Sequence, residues 1–167
     1  MTRGVFLGVK HAARVMQKTG GGAVIFDLDL EGEVAIIRRG ILYVLEHDGT
    51  LKARVVLPGD DCATNEGGPP TVADFDGDGR PEVAAAGADF YVVFDLECAQ
   101  TPLPAHCDSP GMRWVKTTQD KSSGSTGSSV FDFNGDGAAE VVYRDECWLR
   151  VYDGKTGKVR FASSITS

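Results

Sequence analysis

The stretch "DFDGDGRPE", residues 74–82, sets carboxylates at its first, third, fifth and ninth positions: Asp74, Asp76, Asp78 and Glu82. Acids this close repel one another unless a counter-charge sits among them, so the pattern asks for a cation. A hard ion that takes six to eight oxygens at about 2.3–2.6 Å suits this ligand set. Ca2+ suits it better than Mg2+, which keeps fewer protein ligands in a strict octahedron. Gly77 and Gly79 permit the tight backbone path, and the main-chain carbonyl of Arg80 at position 7 is the remaining candidate ligand. "DFNGDGAAE", residues 132–140, repeats the arrangement as Asp132, Asn134, Asp136, the carbonyl of Ala138 and Glu140. Asn134 keeps an oxygen but removes one charge, so weaker binding is expected there.

A helix–loop–helix calcium site would place a bidentate glutamate at position 12 of the loop. Those positions are Ala85 and Tyr143, and the loops run directly into "EVAAAG" and "EVVYR", which are strand-forming rather than helical. The acidic loop therefore belongs between two strands.

The elements around the loops recur. Segments beginning at residues 23, 71 and 129 share one layout: a short apolar run, an acidic loop opening at Asp27, Asp74 or Asp132, a glutamate leading into a strand, and a second alternating strand. In the first and third, the turns "HDGT" and "DGKTGK" lead into a final strand. The openings lie 47 and 58 residues apart, a period of propeller blades rather than of helical repeats. Period-two runs such as "LRVYD" and "FYVVFD" mark the strands, and 21 glycines fit a turn-rich all-β fold. The reading is an N-terminal extension over 1–20, with helical periodicity at 5–18, followed by a repeat domain over 21–167. Its units span about 21–60, 61–120 and 121–167. "AQTPLPAHCDSPG" and "TTQDKSSGSTGSS" are expected as surface loops, the second flexible by composition.

The two loops with their surroundings, residues 71–97 and 129–161, resemble FG-GAP/VCBS repeats, the blade units of integrin-α-type β-propellers, whose pattern is DxDxDGxxD/E. Residues 23–55 match more loosely. The resemblance implies four-stranded antiparallel blades. It also implies Ca2+ held at positions 1, 3, 5, 7 and 9: Asp74, Asp76, Asp78, Arg80 (carbonyl) and Glu82, then Asp132, Asn134, Asp136, Ala138 (carbonyl) and Glu140. The first unit departs from the pattern. "DLDLEGE" offers Asp27, Asp29, Glu31 and Glu33 but lacks two residues before the closing acid and has Leu30 in place of glycine, so it is not counted as a site. About three blades do not close a ring of four to eight. The expectation is a partial propeller, completed by other copies or by the remainder of a longer chain. The implied function is a non-catalytic scaffold for protein or glycan recognition, at the cell surface or outside the cell. The alternative is a carbohydrate-binding module, or the non-catalytic part of a carbohydrate-active enzyme such as a polysaccharide lyase.

Composition supports a folded chain: 167 residues, 42% hydrophobic and 25% charged. A net charge of -7 argues against a nucleic-acid or anionic-membrane partner. No run reaches the roughly 20 apolar residues of a membrane span, and the opening residues carry no export signal, which fits a piece of a longer protein. Cys62, Cys98, Cys107 and Cys147 include no CxxC pair, so zinc is not expected. Cys98 and Cys107 bracket a Pro-rich loop and are the nearest candidates for a bridge. Four free thiols are the alternative, because spacing does not decide connectivity. "GKT" at 154–156 lacks the first glycine of a phosphate loop and reads as a hairpin turn. His11, His47 and His106 have no ligand spacing, and the serines at 122–129 contain no nucleophile elbow. No catalytic constellation assembles. Trp114 and Trp148 read as sheet core, with sugar stacking as the alternative for an exposed ring.

Overall fold

The computed structural model describes residues 23–26, 32–58, 67–122, 124 and 126–165. Among these, the strands form three four-stranded antiparallel sheets, each a simple up-and-down meander. The first holds β1 (Ala23–Phe26), β2 (Gly32–Arg38), β3 (Ile41–Leu45) and β4 (Leu51–Val56). The second holds β5 (Thr71–Ala73), β6 (Glu82–Ala86), β7 (Phe90–Phe94) and β8 (Met112–Thr117). The third holds β9 (Ser129–Phe131), β10 (Glu140–Arg144), β11 (Trp148–Tyr152) and β12 (Val159–Ser164). Each acidic loop joins the first strand of its sheet to the second. The segment of helical periodicity at 5–18, the loop at 27–31 and Cys62 lie outside the described residues. No described helix is long and apolar enough to cross a membrane.

The sheets stack in a row, and the middle one is covered on both faces. That is why "EVAAA" and "FYVVF" are buried throughout rather than on alternate residues. Val83, Ala85, Phe90, Val92 and Phe94 pack against Ala35, Leu42 and Val44 of the first sheet. On the opposite face Ala84, Ala86, Tyr91, Val93 and Trp114 meet Val141, Tyr143 and Tyr152 of the third. Small alanines on β6 let the neighbouring sheets approach, and the aromatic rings fill the space. Tyr91 lies 4.9 Å from Tyr143 and 5.8 Å from Trp114 between centroids, contacts worth about 0.5–1.5 kcal/mol each beyond area burial. The first strands β1, β5 and β9 lie beside one another, and Thr71 and Ser128 hydroxyls meet at 2.9 Å where β5 approaches β9.

Among the described residues, nothing covers one face of the third sheet. Cross-strand partners share a face, so the pairs Glu140 with Phe131, Val142 with Val151, and Val151 with Phe161 define the side away from the second sheet. Phe131 and Phe161 are 64% and 53% exposed there, and Phe133 is exposed beside Phe131. By position in the repeat this face corresponds to Ala35 and Ile37 in the first sheet and to Ala84 and Ala86 in the second, both covered by the sheet that follows.

Two expectations need correction. The described part of the Ser/Gly-rich loop lies at the surface at Gln119, Lys121, Ser122 and Gly127, as expected, but it is anchored rather than free, since Thr118, Asp120 and Gly124 are buried. Its backbone is satisfied by acids: Asp120 accepts from the N–H of Thr126, and Asp145 from that of Gln119. Trp148 is not core, being 36% exposed. It begins β11 at the end away from Tyr152, outside the buried aromatic cluster, with the Arg150 guanidinium 5.5 Å from its ring centre. Trp114 is core at 2% exposure.

Candidate metal centre

The two acidic loops share one set of backbone N–H to side-chain bonds. In the first, Asp74 accepts from the N–H groups of Gly77 at 2.6 Å, Asp78 at 3.2 Å and Gly79 at 2.9 Å. Asp76 accepts from Asp78 N–H, and Asp78 from Arg80 N–H. In the second, Asp132 accepts from Gly135 at 2.7 Å, Asp136 at 3.2 Å and Gly137 at 3.0 Å. Asn134 accepts from Asp136 N–H, and Asp136 from Ala138 N–H. The repeated glycines make this path possible: Gly77 and Gly79 have φ of 77° and 87°, Gly135 and Gly137 of 74° and 87°, where a side chain would be strained.

These bonds hold the carboxylates together at the solvent surface. Asp74, Asp76 and Asp78 each bring an oxygen within 4.8 Å of the others, a group able to hold a metal ion. Asn134 takes the middle place in the later loop, between Asp132 and Asp136. The N–H of Gly137, helped by those of Gly135 and Asp136, holds the Asp132 carboxyl below its usual value. Arg80 is exposed and its side chain pairs with Glu97 at 2.7 Å, while Ala138 is buried.

The closing acids sit deeper. Glu82 and Glu140 are 5% and 1% exposed, and each turns one oxygen to the N–H of the loop's second residue, Phe75 at 2.7 Å or Phe133 at 2.9 Å. Glu82 does not join the Asp74–Asp76–Asp78 group. Burial, with the charges of Asp76, Asp95 and Asp78 nearby, pushes the Glu82 carboxyl up to about 8. Burial also pushes Asp76 up, against the lowering effect of Arg113.

Arg113 was not legible as part of this site. From β8 its guanidinium reaches Asp76 at 2.6 Å and Asp95 at 2.9 Å, and its Nε donates to the Lys155 carbonyl at 3.0 Å. The loop is thereby tied to the turn after β11. Ala139 N–H donates to the Asp74 carbonyl at 2.8 Å, and the Trp114 indole donates to the Gly154 carbonyl at 2.6 Å. A sequence signal existed: a basic residue follows the first residue of each final strand, in "LKARVV", "MRWVKT" and "VRFASS".

Cys98 and Cys107 form a disulfide, Cα atoms 5.7 Å apart, which closes the Pro-rich loop and removes both sulfurs as metal ligands beside His106. Cys147 is a free thiol. Residues 154–156 form the hairpin turn expected of them.

Fold and loops together define an all-β protein of stacked four-stranded sheets carrying paired acidic loops. No family model matches the chain. No curated protein matches it significantly. A solved structure similar to it is that of the V. cholerae biofilm matrix protein Bap1, at 19% identity and a TM-score of 0.42. The match covers 81% of this chain and 20% of that one, so the chain spans about a fifth of its length.

Proposed function

We propose that the chain is a non-catalytic calcium-binding module of FG-GAP/VCBS type, a run of β-propeller-type blades that serves as a scaffold for protein or glycan recognition outside the cell or at its surface. The observation that carries this reading is the duplicated loop: two acidic loops with one hydrogen-bond pattern, each at the entry to an equivalent strand. The backbone N–H groups orient the carboxylates in advance, and a cation completes the charge balance. Binding to the folded form alone then stabilises it by mass action.

The blade reading is supported by β1, β5 and β9 lying side by side and by each sheet covering the same face of its predecessor. The open face bearing Phe131 and Phe161 suits a further unit of the same kind, from a second copy or from more chain. A disulfide between Cys98 and Cys107 suits an oxidising compartment. Calcium modules outside cells bind with Kd on the order of 10⁻⁴–10⁻³ M, so such sites fill there and stay empty in cytosol.

Calorimetric titration of calcium into the full chain tests the reading. Two ions per chain are expected, and one after Asp76→Ala or Asp136→Ala. Stoichiometry unaffected by either substitution would reject the loops as sites. A second reading, glycan binding, has the exposed Trp148 in its favour. Glycan binding abolished by Trp148→Ala supports it, and the buried Trp114 takes no part.

A further inference from the structure

Each sheet carries the same irregularity in its last strand. Val44 faces Ala53 while Leu45 faces Leu51, leaving Lys52 as the extra residue of a β-bulge. Val93 faces Trp114 and Phe94 faces Met112, leaving Arg113. Val151 faces Phe161 and Tyr152 faces Val159, leaving Arg160. A bulge re-aims one side chain, and all three here are cations.

Their partners repeat too. Each meets the acid that directly follows the third strand of its sheet: Lys52 with Glu46 at 3.3 Å, Arg113 with Asp95 at 2.9 Å, and Arg160 with Asp153. Each also reaches an acid at the β1–β2 loop or its equivalents: Lys52 with Glu33 at 3.3 Å, Arg113 with Asp76 at 2.6 Å, Arg160 with Glu140 at 3.4 Å. The difference between the last two has a local cause. Where position 3 is Asp76, the guanidinium takes its free oxygen. Where position 3 is Asn134, the amide offers an N–H instead, bonded to Glu140 and Asp136, and the arginine moves on to Glu140.

We propose that the bulge cations are resident counter-ions of the acidic loops, that Arg113 and Arg160 compete with a divalent ion for the same carboxylates, and that they thereby set how tightly each loop binds one. The proposal rests on the calcium reading above and names its regulator. Asp76 shows the competition most directly. Its Oδ1 accepts the Asp78 N–H and its Oδ2 holds Arg113, so an ion that uses Asp76 shares Oδ2 with the guanidinium, displaces it, or binds Oδ1 on a carboxylate whose charge Arg113 already offsets. In the first sheet, whose sequence lacks the calcium pattern, Lys52 sits on the buried Glu33, the equivalent of Glu82 and Glu140. The fixed charge keeps the loops folded without metal and raises the concentration at which metal enters.

The test is calorimetric titration of Ca2+ itself into the full chain at low ionic strength, for the wild type, Arg113→Gln, Arg113→Lys and Arg160→Gln, with circular dichroism to verify folding. Removing one like charge next to the ion is expected to tighten one site about tenfold in each glutamine variant. Arg113→Lys keeps the wild-type affinity. Arg160 is 40% exposed, so its variant folds and carries the test even if Arg113→Gln does not. Unchanged or weaker binding in the folded glutamine variants overturns the proposal while leaving the calcium reading in place. A wild type that takes no calcium while a glutamine variant does rejects the reading and supports the counter-ion. No binding in any variant overturns both.

Discussion

Gly154→Ala tests whether the acidic loops are joints between sheets. Gly154 follows β11, and a Cβ there would stand 2.1 Å from the Ala139 carbonyl oxygen and 2.5 Å from that of Phe75. Both obstacles are backbone, one leading into β10 and one inside the Asp74–Glu82 loop, so neither yields by a rotamer change. Overpacking of this kind costs about 1–3 kcal/mol. Any shift of the turn also strains the bond from the Trp114 indole to the Gly154 carbonyl, and an orphaned buried N–H adds about 1–3 kcal/mol. The sum, about 2–6 kcal/mol, is a large part of a domain's usual 5–15 kcal/mol. Gly137→Ala is the control. Its Cβ meets nothing within 4 Å, but its φ of +87° makes alanine strained, at about 1–2 kcal/mol. Equilibrium urea unfolding separates the two: with an m-value of about 2 kcal/mol/M, Gly154→Ala lowers the midpoint by about 1–3 M and Gly137→Ala by about 0.5–1 M. Equal shifts would refute the claim that the loop and the third sheet are locked together through this turn.

Glu82 makes the metal-free protein sensitive to pH. With its carboxyl raised from 4.5 to about 8, the stability it confers while protonated is fully present below about 4.5 and is lost as pH rises through about 8. Melting in EDTA should therefore weaken between pH 5 and 8, and Glu82→Gln should flatten that slope; a slope unaltered by the substitution contradicts the assignment. Reducing the Cys98–Cys107 bridge, which spans 9 residues, should cost about 2–3 kcal/mol in denaturant unfolding if chain entropy governs it. Phe161→Asp should leave the fold intact and lower the mass seen by light scattering wherever the wild type self-associates; an unchanged mass places that association elsewhere.

The place and common path of the two loops were legible because acids and glycines recur at one spacing, at Asp74–Glu82 and Asp132–Glu140, each just before a strand. Strands β6, β7, β10 and β11 were legible from period two and apolar runs. The fourth strand of the middle sheet was harder, since β8 arrives only after the 3-10 turn Leu96–Ala99 and the disulfide-closed loop, a route no local pattern announces. The burial of Asp120 was hidden by its Ser/Gly neighbours, because composition does not say that a carboxylate will satisfy the loop's own N–H groups. Trp148 was misread because burial depends on position along the strand as well as on face: it shares the inward face of Tyr152 but lies at the other end of β11, beyond the aromatic cluster. The bulge cations Lys52, Arg113 and Arg160 lie at different sequence distances from the acids they meet, so the basic residue second in each final strand hints at their equivalence and the register shows it.

The most direct test of the central claim is thermal unfolding of the purified chain in calcium and in EDTA, for the wild type and for the Asp76→Ala/Asp136→Ala double variant. At a calcium concentration about a hundredfold above Kd, each site adds about 2.7 kcal/mol, a rise of roughly 5–10 °C per site for a chain of this size. The account predicts that rise in the wild type and its loss in the double variant. Coincident melting curves with and without calcium, in a wild type that remains folded, would contradict it.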